Sequence, residues 1–171
     1  MIRIAITGNP GAGKSTVCRN VVKGLSCTYG GMVSADIRVK GERAGFEIMD
    51  ITTGKKGILA SKEGTGPGVG RYHVNLGDLD NIGVAAIRNA LDSELIIIDE
   101  IAPMELKSGE FVRAVEEALD SGKSMLAVLH RKSNHPLAER IRQEFNVFTV
   151  TQENRDRLVS EIVEKLKSNN L

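Results

Sequence analysis

The stretch GNPGAGKST, Gly8 to Thr16, follows the apolar run Ile2-Arg3-Ile4-Ala5-Ile6-Thr7 and precedes a helical pattern that starts at Lys14. Strand, glycine-rich loop and helix in that order make a cradle for phosphate. Gly8, Gly11 and Gly13 let the backbone turn tightly and expose a row of N–H groups that an anion can meet without any Cβ. Asn9, Pro10 and Ala12 complete the loop. The helix adds the positive end of its dipole. Lys14 then reaches the β- and γ-phosphates as a point charge, the Ser15 hydroxyl is placed to ligate a Mg²⁺ bridging them, and Thr16 faces the α-phosphate. The pattern GxxxxGK(S/T) therefore reads as nucleotide binding, with no reaction specified.

A chain of 171 residues suits one α/β domain, expected over 1–171. A formal net charge of +1 supplies no general field for nucleic acid or an acidic membrane, so nucleic acid is not indicated as a partner. No apolar run reaches membrane-spanning length and no signal-type pattern opens the chain; a cytoplasmic monomer is expected. Cys18 and Cys27 are the only cysteines, which is neither a disulfide framework nor a zinc pattern, and Cys18 reads as a packing residue. With four Phe, two Tyr and no Trp, few aromatics are available to stack on a base.

Outward from the cradle, the periodicity predicts a helix from Lys14 to about Gly24. Met32 to Lys40, Ala44 to Ile51 and Ile58 to Ala60 read as an antiparallel meander, an insert over about 32–60 carried on one edge of an otherwise parallel sheet. KEGTGPGVG, Lys62 to Gly70, is too rich in glycine for a regular element and is expected to be a mobile loop, followed by an extended piece from Arg71 and a helix from about Leu79 to Leu91. Leu95 to Ile98 is a run of the kind buried on both faces of a parallel sheet. A helix over Gly109–Leu119 with Ser108 as N-cap, a strand over Met125–Leu129, a helix from Pro136, a strand over Val147–Val150 and a last helix capped by Asn154 complete the order.

Asp99 and Glu100 follow the apolar run ending in Ile98. A carboxylate at such a strand end is where a second Mg²⁺ contact belongs, and Asp99 takes that role beside Ser15. Glu100 projects at the same strand end and can act as general base toward a water attacking the γ-phosphate. Arg38, Arg43, Arg71 and Arg131 are candidates for the charge that develops on the γ-phosphoryl group. Arg71 stands out because the preceding glycine-rich loop could swing it over the nucleotide. His130, at the end of a strand, could report the γ-phosphate state. Asn154 and Arg155, at the head of the last helix, are candidates for contact with base or ribose, and no NKxD-type guanine reader is present.

GNPGAGKST, GERAGFEI at Gly41 to Ile48, GPGVGRYHV at Gly66 to Val74, LIIIDEIAPMEL at Leu95 to Leu106 and NRD at Asn154 to Asp156 together resemble the THEP1 nucleoside-triphosphatase family over nearly the whole chain. The resemblance implies a three-layer α/β P-loop NTPase domain of the branch whose catalytic glutamate adjoins the Walker B aspartate, here Glu100 beside Asp99. It also implies slow, Mg²⁺-dependent hydrolysis of several nucleoside triphosphates to diphosphate and phosphate. Arg71 lies in the matching VGRY segment. The chain departs from the family's usual DEIGKMEL in having Ala102-Pro103 where that pattern has Gly-Lys. The alternatives are a small-molecule or nucleotide kinase using the same cradle, and a nucleotide-dependent module that binds nucleic acid or protein.

Overall fold

The first strand sets the layering. In β1 (Arg3–Gly8), Ile4 and Ile6 are buried on one face of a sheet and Ala5 on the other, so both faces must be covered. The computed structural model describes residues 1–171 and places nine strands in one sheet. The other strands are β2 (Tyr29–Val39), β3 (Glu42–Asp50), β4 (Lys56–Ser61), β5 (Gly68–Val69), β6 (Tyr72–Val74), β7 (Leu95–Ile101), β8 (Ser124–Leu129) and β9 (Asn146–Val150). Their order is β5-β6-β4-β3-β2-β7-β8-β1-β9.

Helices α1 (Lys14–Lys23) and α5 (Arg155–Lys167) cover one face, packing Val17, Val21, Leu158 and Ile162 on Ile4, Ile6, Ile97 and Val128. The other face, with Ala5, Ile96, Ile98 and Ala127, is covered by a helical segment α2 over 76–92, by α3 (Gly109–Asp120) and by α4 (Pro136–Glu144). Ser108 caps α3 by accepting from the Phe111 N–H. Pro136 opens α4 where no amide hydrogen is needed. No helix is long and apolar enough to cross a membrane.

Four expectations need correcting. β2 is a member of the parallel core as well as of the meander: Tyr29 to Val33 pair in parallel with Leu95 to Asp99, while Met32 to Val39 pair antiparallel with β3. The extension therefore begins at β3, and the sheet is mixed, with four of its eight strand pairings antiparallel. Gly30 and Gly31 allow this close approach; a Cβ on Gly31, at φ 122°, would lie 1.9 Å from the Ile97 carbonyl oxygen. The glycine-rich loop expected to be mobile is pinned by hydrogen bonds: Gly68–Val69 pairs with β6, and the Val74 N–H donates to the Pro67 carbonyl at 2.8 Å.

The helix expected over Leu79–Leu91 starts earlier and changes type. Asn75 caps it by accepting from the Asp78 N–H, and a π-helical stretch Leu79–Val84 leads to α-helix Ala85–Asn89 and a 3-10 turn Ala90–Asp92. Asn154 precedes α5 without a capping bond from its side chain; it accepts instead from the Thr151 N–H and donates to the Thr149 carbonyl.

Gly31→Ala is expected to destabilise the fold by about 3 kcal/mol or more, because both the backbone conformation and the β2–β7 contact forbid a Cβ. Urea unfolding of the variant beside the parent measures it; a change below about 1 kcal/mol would show that the ladder can open there.

Candidate active site

The cradle is built where β1 meets α1. Gly8 ends the strand at φ 155°, and a Cβ there would lie 2.7 Å from the Val150 carbonyl oxygen of β9. Gly13, at φ 100°, precedes α1, and the Arg155 side chain lies just outside it, its Cδ 3.6 Å from where a Cβ would be. The Lys14 ammonium bends back over the loop, donating to the Gly8 and Asn9 carbonyls at 3.4 Å each. Pro10, Gly11 and Ala12 form the crest, and Thr16 follows in the first turn of α1.

Strand alternation brings the acid to the cradle. Leu95 and Ile97 of β7 point toward α1, so Asp99 does too, and its Oδ1 accepts from the Ser15 hydroxyl at 2.9 Å. Ile98 points the other way into the core. After Asp99 the register between β7 and β8 shifts, with Asp99 opposite Val128 and Ile101 opposite Leu129. Glu100 falls at that irregularity and lines a hollow together with Lys14 and Ser15.

Three carboxyl groups here have raised pKa values. Asp99 is 4 % exposed; burial pushes it up to about 7, with the Ser15 hydrogen bond opposing and the Glu100 charge adding. Burial also raises Glu100, against the pull of Lys14. Glu105, 2 % exposed, is raised well above the carboxylate range by burial, against its own backbone N–H, with Glu100 and Asp99 adding. Its Oε2 has no hydrogen-bond partner. Such a cluster favours a bound cation. The side-by-side hydroxyl of Ser15 and carboxylate of Asp99 offer hard oxygen donors that fit Mg²⁺, which keeps most of its other positions for water and phosphate. No group of three or more His, Cys, Asp or Glu forms a metal cage.

Other predicted residues are placed unevenly. Arg131 donates to the Asn9 side-chain oxygen at 2.6 Å and so sits on the cradle. His130 lines the hollow; burial first and Lys14 second lower its pKa, favouring the neutral ring. Arg71 is exposed, stacked on its neighbour Tyr72 with 5.8 Å to the ring centroid, and does not line the hollow. Arg38 is exposed on the β2–β3 hairpin and binds Asp36. Cys18 is buried in α1 with a raised pKa, an inert packing position.

The loop separates two spaces. Beyond Gly11 on the β9 side lies a hollow of about 360 Å³ bounded by Asn9, Arg131, Thr149, Thr151 and Gln152. On the Ser15 side lies one of about 670 Å³ reaching past Glu100 to Phe46 and Met104.

Residues 3–163 match the family model described as NTPase. The nucleoside-triphosphatase THEP1 of Methanosarcina acetivorans is 53% identical over 169 residues, covering 96% of this chain and 97% of that protein. The chain belongs to the THEP1 nucleoside-triphosphatase family. The THEP1 of Thermotoga petrophila is 43% identical, over 98% of this chain and 94% of that one. Among solved structures, THEP1 from the hyperthermophile Aquifex aeolicus superposes with a TM-score of 0.84 at 32% identity, covering 96% of this chain and 99% of that one. A human cancer-related nucleoside triphosphatase superposes with a TM-score of 0.81 at 29% identity, over 98% of both chains.

Two features of the site lie outside the sequence expectations. Glu105 was not singled out, although a carboxyl between Met104 and Leu106 in an apolar run was the signal for it. The Arg131–Asn9 contact joins residues 122 positions apart and had no local signal.

Because the folded protein holds the Asp99 proton up to about pH 7 and the unfolded chain releases it near 4, the nucleotide-free protein loses stability as pH rises between those values. The loss is complete above 7. Asp99→Asn removes the charge and keeps an acceptor for Ser15, so it is expected to stabilise the metal-free protein at pH 8 by on the order of 1–3 kcal/mol, several degrees in Tm, and to flatten this part of the pH dependence. Thermal unfolding at pH 6 and pH 8 in chelator reads both effects. A variant less stable than the parent at pH 8 contradicts the assignment.

Proposed function

We propose that the chain hydrolyses nucleoside 5′-triphosphates to diphosphate and phosphate with Mg²⁺. The observation that carries the reading is the Ser15–Asp99 contact beside Glu100, which joins a phosphate cradle to a base-bearing strand end within one family of nucleoside-triphosphatases. The cradle N–H groups and the α1 dipole receive the phosphates, and Lys14 exchanges its two loop carbonyls for phosphate oxygens. Ser15 and Asp99 would hold Mg²⁺, directly or through water. When bound, the ion neutralises phosphate charge and polarises the γ-phosphoryl group.

Glu100 receives the proton of the attacking water; its raised pKa brings it closer to the operating pH, as a general base requires. The oxygen–phosphorus bond forms on that side as the bond to the diphosphate breaks. Lys14 faces the charge that develops, and Arg71, exposed and outside the hollow, would act only after moving inward. Reliance on Lys14 alone fits slow turnover. The hollow between Asn9 and Gln152 suits base and ribose beside Asn154 and Arg155; it is polar and lacks an aromatic side chain, which fits broad base selectivity.

Glu100→Gln is expected to lower phosphate release by roughly 10²- to 10⁴-fold while nucleotide affinity stays within a few fold. Release at the parental rate would sink the mechanism. Lys14→Ala is expected to weaken ATP binding by tenfold or more, read by calorimetry with Mg²⁺, and unchanged affinity would remove the cradle from the reading. Arg131→Ala is expected to raise KM more than it lowers kcat, since the guanidinium holds Asn9 on the β9 side of the loop, away from Glu100.

A further inference from the structure

The hollow on the Glu100 side is far larger than hydrolysis requires. It measures about 670 Å³, whereas a water molecule accounts for roughly 30 Å³ and small-molecule sites span about 300–1,000 Å³. A nucleotide whose base lies on the Thr149 side of the loop would bring its phosphates, and not its base, into this space, along Lys14, Ser15 and Thr16. The remainder, beyond Glu100, is walled by Asp36 of β2 and by the antiparallel extension, with Arg43 and Phe46 of β3, Leu59 of β4 and Val69 of β5, and by Met104.

The chemistry of that wall is specific. The Phe46 ring is fixed by the Tyr72 ring, edge-on at 5.1 Å between centroids, and by the Arg43 guanidinium 5.3 Å from its own centroid. With Leu59, Val69 and Met104 it offers an apolar surface for a flat ring. Arg43 pairs with Asp36 at 2.8 Å, and Arg19 lines the same space outside any ion pair, so two guanidiniums and the Asp36 carboxylate are among its lining groups. At the inner end Lys14 and His130 face Glu100. Glu105, also on the lining, brings a buried carboxyl whose Oε2 is unsatisfied, a group that a ligand polar atom would complete.

We propose that this chamber binds a small hydroxyl-bearing organic anion with a planar ring, and that the chain transfers the γ-phosphoryl group to that hydroxyl. The proposal rests on the reading above for the position of the γ-phosphate beside Glu100. The acceptor oxygen forms the new bond to phosphorus while the bond to the β,γ-bridging oxygen breaks, its electron pair leaving on the nucleoside diphosphate. The hydroxyl proton passes to Glu100 and on to solvent. Nothing is oxidised or reduced. Hydrolysis is the same displacement with water in place of the acceptor.

The test incubates the full chain with Mg²⁺ and ATP labelled in its γ-phosphoryl group, adding 3-(hydroxymethyl)benzoate, 4-(hydroxymethyl)benzoate or 4-hydroxybenzoate, and separates the products by chromatography. At least one probe is expected to take up label at tenfold or more the rate of phosphate release without it. Phe46→Ala and Met104→Ala are each expected to lower that labelling tenfold or more and to leave probe-free phosphate release within twofold. Label found only in inorganic phosphate with every probe overturns the proposal, as does an equal loss of both reactions in the two variants. The two readings fail separately: phosphate release without any labelled probe sinks the acceptor site alone, whereas a labelled probe without probe-free release sinks the hydrolase.

Discussion

The hydrogen bond from Ser15 to Asp99 holds the site together, and it spans a gap in the sheet. β1, which ends in the cradle, and β7, which ends in the acid, are not neighbours; β8 lies between them. Contact therefore depends on α1 crossing over β8, which its Val17 and Val21 achieve by packing on Val128 and Ile97. Any change that tilts α1 separates the two oxygens that would share a metal. The carboxylate at this junction is almost fully buried, and burying an ionised acid without a cation is costly. The nucleotide-free site is thus the least comfortable part of a well-packed core, an arrangement expected where binding a charged ligand must be favourable.

What the sequence made legible was whatever a few consecutive residues encode. The loop has Gly8, Gly13, Lys14 and Ser15 at fixed spacing because its backbone geometry is local, and the apolar run ending in Asp99 and Glu100 announces a buried strand by itself. Cap signals such as Ser108 and Pro136 were equally readable. The misreadings concern glycines and polar residues whose reasons lie far off in the chain. Gly31 is glycine because Ile97 passes beside it, and Gly66 because a Cβ would lie 1.9 Å from the Val74 carbonyl oxygen. Their reasons lie in residues far along the chain, which local spacing does not display: the paired strand begins at Tyr29 and not Met32, and the loop after β4 is held by hydrogen bonds. Asn154 sits where a cap belongs, yet its side chain serves the turn after β9.

The extension and the acid are parts of one hydrogen-bonded ladder. In β2, Val33 pairs with Asp99, and the next residues, Ser34 and Asp36, form the wall of the large hollow. On its other edge β2 pairs antiparallel with β3 from Met32 onward, and Arg43 and Phe46 of β3 complete that wall. The surface beyond Glu100 is therefore anchored one residue from the carboxylate that would hold the metal. The register also leaves little freedom: sliding β2 by one residue would turn Met32 out of the core and Val33 into it, which the burial of Met32 against Ile48 and Ile98 opposes. A hydrolase using water needs none of this precision on the far wall. The Phe46 ring packed against Tyr72 and the Arg43–Asp36 pair are what the proposed acceptor would meet there.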